Sequence, residues 1–405
     1  RGDALSNHIA EYVFDPPPSA LQQADAHAKY VTLQSDLDAT GKKLKGLRDV
    51  PGLRYFMPFF KTPYNAFKYA FIDRGPIGAF YGESKRAIER AKMPGASMAD
   101  KAAGDMAMAR LIMGNSTAAV MAMMTAEGSI TGGGPADPGV RAALKETGWQ
   151  PYSIKIGNTY VSYIGMEPFS STIMLGADAA EVMMSGAVNG DDADKIVAAV
   201  AAAFANQLTD KTFMAGFSDL VSTINDPTRY AGQTADRFIA SIVPRVVAQS
   251  ERLVDPTVRA ANDVVSTIQA QIPGWSKELP PRRNLAGQPQ TLGGAVGPDV
   301  LSPFYSSTVG VNEMDKNPKR AERAYNMFQE MVDVRFSASP HPDTWDSNVG
   351  LTPQEIDKFH QYAGKHTLDL FEDLTEQSVY QEFRERAVAG DLLARERLHL
   401  MIRGA

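Results

Sequence analysis

The sequence predicts a mainly α-helical, extended multi-helix protein with one β-hairpin and a long irregular arm. Apolar residues recur at the 3,4 spacing of helices through most of its 405 residues. One Gly-Asn pair separates two short alternating segments, as in a hairpin. The stretch 272–310 carries Pro-Pro and Gly-Gly pairs with little periodicity. We therefore divide the chain into 1–98 (N-terminal helices and an aromatic segment), 99–271 (a helical core with the hairpin), 272–310 (the arm) and 311–405 (C-terminal helices).

The N-terminal part is predicted to contain three helices. Ala20–Leu47 has helical apolar spacing after three prolines, with Ser19 as its N-cap. A second helix is expected from about Asn65 to Ile72. A Gly75-Pro76 break follows it, and a third helix is expected to run through Arg90.

Aromatic residues crowd the segment Arg54–Phe71, which also contains two prolines. So many large apolar groups around helix breakers favour contact with a neighbouring subunit or a lipid interface. The alternative is an ordinary loop and helix start folded into the chain's own core. The predicted contact residues are Phe56, Phe59, Phe60, Tyr64, Phe67 and Phe71.

The central block Ala99–Leu208 is rich in Ala, Met and Gly. Unbranched Met side chains fill irregular contacts and can repack, and small residues let helices approach closely. The alternative is a plain Ala/Met helix core. No segment of the block is predicted to be an independent transmembrane helix, because Leu111–Ala126 is too short and Phe169–Val188 contains two carboxylates.

Tyr152–Ile164 is predicted to be the hairpin, with Gly157-Asn158 as a type II′ turn. Pairing Ile156 with Thr159 gives the strands two distinct faces. One carries Tyr152, Ile154, Ile156, Thr159, Val161 and Tyr163, and the other Ser153, Lys155, Tyr160 and Ser162.

The remaining elements are helices on either side of the arm, Ile272–Gly310, which is expected to lie across other surfaces. After it, Ala321–Val332 has the spacing of a half-buried helix. Thr352 and Glu355 form a capping box that opens a helix with an apolar stripe from Ile356 through Leu370 to Leu374. Before the arm, the predicted helices are Ala193–Leu208, Asp210–Ile224, Thr234–Arg252 and Thr257–Gln271.

The sequence offers no catalytic constellation, cofactor motif or metal site. Absence of cysteine excludes disulfides and thiolate chemistry. The Gly-rich stretch Gly128–Gly139 lacks the Lys-Ser/Thr ending of a phosphate loop and is predicted to be a mobile loop. His360 and His366 do not share a helix face. Glu83-Ser84 matches one pair of lytic transglycosylases without their other motifs, so we expect a solvent-facing helix residue.

Basic groups cluster locally although the net charge is -6. Such groups could contact phosphates, and the alternative is ordinary solvated charge. The candidate phosphate-contacting residues are Arg282, Arg283, Lys319 and Arg320.

Three stretches together resemble the C-terminal regions of internal virion, or DNA-ejection, proteins of short-tailed phages and their large polyvalent relatives. The resemblance spans roughly Arg54–Phe304, and its motifs are not catalytic signatures. The stretches are Arg54–Phe71 with Asp73–Pro76, Gly132–Glu167 with its core Thr147–Gly157, and Leu279–Gln290 before Leu301–Phe304.

The resemblance implies a helical homo-oligomer packaged in the virion interior, in an inner core near the portal. On infection it would be expelled and would reassemble across the host periplasm and inner membrane as part of a conduit for phage DNA. Its implied partners are other ejection proteins, the portal, the envelope membrane and the DNA that passes through. We expect no catalysis in this region, and we expect the chain to be part of a longer polypeptide.

Two other functions stay open on the sequence. One is a murein-degrading module of a virion protein, with Glu83 as its acid. The other is a static portal-vertex or tail structural protein.

Overall fold

The structure is a computed structural model that describes residues 13–14, 16–48, 61–80, 82–166, 169–185, 257–261, 264–270, 272, 274–290, 306–310, 317–337 and 352–404. The chain divides into two compact units. Unit 1 comprises 1–123, 166–179 and 190–227, and unit 2 comprises 124–165, 180–189 and 228–405. The division 1–98, 99–271, 272–310 and 311–405 stays a prediction.

The described residues are mainly helical, with a small antiparallel sheet, which confirms the predicted fold class. A π-helix, Lys68–Asp73, directly follows α3, and a short 3₁₀ helix occupies Ser276–Glu278. In chain order the elements are α1 Pro18–Val31, α2 Ala39–Arg48, α3 Lys61–Phe67, α4 Ile77–Phe80, α5 Glu83–Lys92, α6 Met98–Ala126, α7 Pro138–Glu146, β1 Ser153–Ile156, β2 Thr159–Ser162, α8 Phe169–Met184, α9 Val264–Gln269, β3 Ser306–Thr308, α10 Pro318–Asp333, α11 Pro353–Thr375, α12 Ser378–Val388 and α13 Leu392–Gly404.

The prediction of one helix over Ala20–Leu47 was wrong, because the chain breaks between α1 and α2. Leu33 adopts a left-handed φ of 60° and is only 8% exposed, packed with Ala66 and Tyr69. Burying this leucine favours the break over helix continuation. The predicted cap was also wrong, since Pro17 is the N-cap and makes no side-chain bond.

The helix predicted from Asn65 to Ile72 is confirmed, although it begins earlier and changes from α to π geometry. Its π part buries Ala70 and Phe71 against Leu175 of α8. The Gly75-Pro76 break is confirmed as well. The helix expected through Arg90 is interrupted, because Gly82 has a φ of 97° and separates α4 from α5.

In unit 2 the hairpin is confirmed in its register, with Ile156 paired to Thr159 and Gly157 at a φ of 61°. The sheet has a third strand that the sequence did not predict: β3 pairs with β2 and comes from the expected arm. The predicted faces are distinct, but the buried one carries Ser153, Tyr160 and Ser162, whereas Ile154 and Ile156 are exposed. Tyr152 and Tyr163, which flank the strands, are buried.

The segment 274–290 is irregular, as predicted, yet it folds into the interior of unit 2. Asn284, Ala286 and Gln288 are buried there. Thr257–Gln271 was predicted to be one helix, but among its described residues only Val264–Gln269 are helical, and Arg259 forms an isolated bridge with Pro281 instead.

The C-terminal helices form the main core of unit 2. Met327, Phe328 and Met331 of α10 pack with residues of α11, α12 and α13. The capping box is confirmed, since Thr352 and Glu355 exchange hydrogen bonds at the start of α11. The predicted stripe was wrong at Leu370, which is exposed, while Leu368 is buried.

Three predicted helices lie outside the described residues. They are Ala193–Leu208, Asp210–Ile224 and Thr234–Arg252.

Candidate interaction surface

The long helix α6 turns most of its large apolar side chains outward. Met113 is 70% exposed and Met123 is 65% exposed. At 3.6 residues per turn the exposed positions fall on one arc, about 160° wide, along the helix. These residues, which we call the outer face of α6, are Met98, Met106, Met108, Ile112, Met113, Val120 and Met123.

The opposite side of α6 is built mainly from small residues. A Cβ added to Gly104 would overlap Ala91, and one added to Gly114 would overlap the backbone carbonyl of Arg74. A Cβ added to Gly176 of α8 would likewise overlap the backbone carbonyl of Ala118. Small residues at this spacing bring helix backbones together, so there is little room inside for the methionines.

The outer face is also uncharged along most of its length. From Met106 to Ala126 the only charged residue is Arg110, which lies about 40° beyond the edge of the arc. The uncharged span of the outer face, from Met106 to Met123, is about 27 Å long at 1.5 Å per residue. Burying one exposed Met side chain contributes about 1.5 to 3 kcal/mol, so covering this face has a strong driving force. The alternation of small and large residues every three or four positions was the sequence signal for this face.

Of the six predicted aromatic contact residues, three lie outside the described residues and three are buried or partly buried. Phe56, Phe59 and Phe60 lie outside the described residues. Tyr64 is 8% exposed and donates a hydrogen bond to Asp38 at 2.6 Å, and Phe71 is 3% exposed.

Phe67 is partly buried and stacks on Phe71 with ring centroids 5.2 Å apart. The described part of the aromatic segment thus belongs to the core of unit 1. Contact of these residues with another chain or with lipid stays a prediction.

The four basic candidates have different local surroundings. Arg283 forms a two-pronged ion pair with Asp357, at 2.6 Å from Nε to Oδ1, and both side chains are largely buried. Arg282 is half-buried near Glu146, and its charge opposes the burial that raises the pKa of that carboxyl. Lys319 and Arg320 open α10, where Lys319 is exposed. Phosphate contact by these four stays a prediction.

The Glu83-Ser84 pair lies at the start of α5. Glu83 accepts a hydrogen bond from Lys68 at 2.6 Å and is more than half exposed, as expected, while Ser84 is buried. Burial would lower the pKa of Lys68, but the bond and charge of Glu83, with Asp73 and Asp38, outweigh it and raise that pKa. Glu83 therefore forms an ion pair with Lys68 of the π-helix.

The glycine loop holds a carboxylate of this same chain. The backbone N–H groups of Gly132 and Gly134 donate to the two carboxylate oxygens of Glu181, each at 2.7 Å. Burial raises the pKa of Glu181, and these two bonds oppose that rise. Backbone amides that could cradle a phosphate are thus directed at Glu181.

Among the described residues, no group of three or more His, Cys, Asp or Glu is placed to hold a metal ion. No helix among them is both long and apolar enough to cross a membrane.

Comparison with protein-family models, curated proteins and solved structures finds no match to this chain.

Proposed function

We propose that the chain is part of an oligomeric phage internal virion, or ejection, protein. It contributes to the inner core of the virion and, after ejection, to a conduit for the genome across the host envelope. The observation that carries the proposal is the outer face of α6, an apolar surface, uncharged from Met106 to Met123, that a single copy leaves in water. The resemblance of Arg54–Phe304 to such proteins supplies the biological setting.

The outer face suits a protein that serves in two assemblies. Met side chains are flexible and polarizable, so the same surface can pack against differently placed neighbours. A neighbour that binds one arrangement better shifts the population toward it. In this proposal copies of the chain cover one another's outer faces in the packaged core, and the contacts rearrange in the periplasm and inner membrane. Other ejection proteins, the portal and the DNA are the further partners.

Sedimentation velocity of the full chain tests the assembly. Met113→Glu and Val120→Glu each place a charge in the middle of the outer face, where burial of an unpaired carboxylate is strongly unfavourable. We expect the wild type to form a defined oligomer and each variant to weaken association by at least about tenfold, which corresponds to about 1.4 kcal/mol.

The matched control is Met93→Glu, the same substitution at an exposed methionine that follows α5. It should associate like the wild type. A wild-type chain that stays monomeric at every concentration, with and without vesicles, contradicts the proposal.

Two further assays separate this function from its alternatives. Release of dye from liposomes by the wild type, reduced in Met113→Glu, supports a conduit over a static vertex protein. Clearing of peptidoglycan in a zymogram, abolished by Glu83→Gln, would instead establish the murein-degrading function.

A further inference from the structure

Opposite charges flank the outer face of α6. Lys101 lies on the arc near the start of the helix, and Glu127 directly follows its last residue. Both residues are exposed, and within the described part of the chain neither side chain makes a hydrogen bond or an ion pair. The cation at one end and the carboxylate at the other are therefore free to pair with a second chain.

These two charges are centred on the same point as the apolar surface between them. The midpoint of Met106–Met123 falls between Gly114 and Asn115, and the midpoint of Lys101 and Glu127 is Gly114. An antiparallel pair of α6 helices, related by a two-fold axis at this height, covers the whole apolar span. The same pair places Lys101 of each copy at the height of Glu127 of the other.

A third charge disfavours a parallel pair. Asp105 is exposed and lies about 20° from the middle of the arc. In a parallel pair it would face Asp105 of the second copy, so two carboxylates would be buried against each other. In the antiparallel pair the two carboxylates lie about 27 Å apart along the axis. Lys101, four residues before Asp105 on the same side of the helix, is then close to the carboxylates of Asp105 and of Glu127 from the second copy.

We propose that the outer face of α6 binds the same face of a second copy as an antiparallel pair, with Lys101 of each copy facing Glu127 of the other. This inference rests on the self-association proposed above and specifies its direction and register. The apolar contact supplies most of the binding, because an exposed ion pair contributes little. The charges set the direction, since like charges at the same height oppose the parallel arrangement.

Cysteine crosslinking tests the direction, because the chain has no cysteine of its own. The proposed register places Ala109, which is exposed, within one residue of the height of Val120 of the second copy, whereas the two copies of Ala109 lie about 15 Å apart along the axis. We expect a thiol crosslinker of shorter reach to link a mixture of Ala109→Cys and Val120→Cys, and neither variant alone. Dimers of Ala109→Cys alone would show a parallel pair and overturn the proposal.

Charge reversal tests the register. Lys101→Glu and Glu127→Lys should each weaken self-association about fivefold in sedimentation velocity, because each sets like charges against each other at both ends of the pair. The double variant Lys101→Glu/Glu127→Lys restores opposite charges and should associate like the wild type. The control is Lys92→Glu, the same reversal at the exposed end of α5, which should also associate like the wild type.

The proposal is overturned, while self-association itself stands, if the double variant associates no better than the single variants. A wild type that stays monomeric contradicts the proposed function as well, so the two failures are distinguishable. Binding to phosphatidylcholine vesicles that Met113→Glu abolishes, without any crosslinked dimer, would show that lipid covers the outer face instead.

Discussion

The outer face of α6 belongs to a regular helix but is exposed, whereas the segment 274–290, called the loop below, is irregular but buried. The helix has regular backbone hydrogen bonding, yet its large apolar side chains face water. The loop has almost no regular structure, yet its polar groups are paired inside unit 2. Asn284 alone donates to Glu146 and accepts from the N–H groups of Ala286 and Gln288.

The comparison teaches that regular secondary structure does not indicate whether a region's apolar surface is buried within one chain. A loop can be buried when every polar group has a partner. A helix can form and still leave an apolar face that awaits another surface. We therefore expect substitutions in the loop to change the free energy of unfolding, and substitutions on the outer face to change association.

The largest expected effect lies where the loop meets α11. A Cβ on Gly364 would overlap the backbone of Ala286 and Gly287, and neither backbone can move without disturbing the paired loop. Gly364→Ala should lower the free energy of unfolding by about 3 kcal/mol. Urea denaturation of the full chain, followed by circular dichroism, measures the loss.

Gly404→Ala at the end of α13 is the matched control, because a Cβ there meets nothing within 4 Å. It should leave stability unchanged or raise it slightly. Equal stability of the two variants would mean that the loop is not packed on α11 as described.

Substitutions at two adjacent residues of α6 should differ in their effect on the free energy of unfolding, by less than the effect expected at Gly364. Gly114→Ala forces a Cβ against Arg74 and should cost about 2 kcal/mol. Met113→Ala removes an exposed side chain and should change the stability of the monomer by less than about 0.5 kcal/mol, while it weakens self-association.

Thermal unfolding at a concentration below that of assembly measures the stabilities, and sedimentation measures the association. A large loss of monomer stability in Met113→Ala would show that the outer face is already covered within one chain.

The parts of the fold that could be predicted from the sequence have local causes. The capping box at Thr352 and the turn at Gly157 each depend on residues a few positions apart. The break at Leu33 and the strand Ser306–Thr308 could not be predicted, because they depend on burial and on pairing with distant residues.

The same distinction applies to the candidate sites. The spacing of Met and Gly in α6 was visible in the sequence, but which side faces water is set by the close approach of Arg74 and Gly176. The contact of Tyr30 with Tyr69 and with the guanidinium group of Arg110 joins three separate segments, and no local pattern predicts it.

The smallest expected effect is a pH dependence confined to the loop. Glu146 accepts hydrogen bonds from Asn284, at 2.7 Å, and from Gln290. Burial raises the pKa of Glu146 despite these bonds. The folded chain therefore binds this proton more tightly than the unfolded chain does, and the contribution to stability is lost as the pH rises through the folded-state pKa.

Lowering the pH from about 7 to about 5 should accordingly stabilise the wild type relative to Glu146→Gln, which has no proton to bind there. Urea denaturation at both pH values measures this difference, and Glu382→Gln, a control on the exposed side of α12 that keeps Glu146, should respond to pH as the wild type does. A difference that grows in favour of Glu146→Gln on acidification would contradict the assigned burial of this carboxyl. Because no acidic residue lies between Met106 and Ala126, the uncharged span of the outer face should contribute nothing to this dependence.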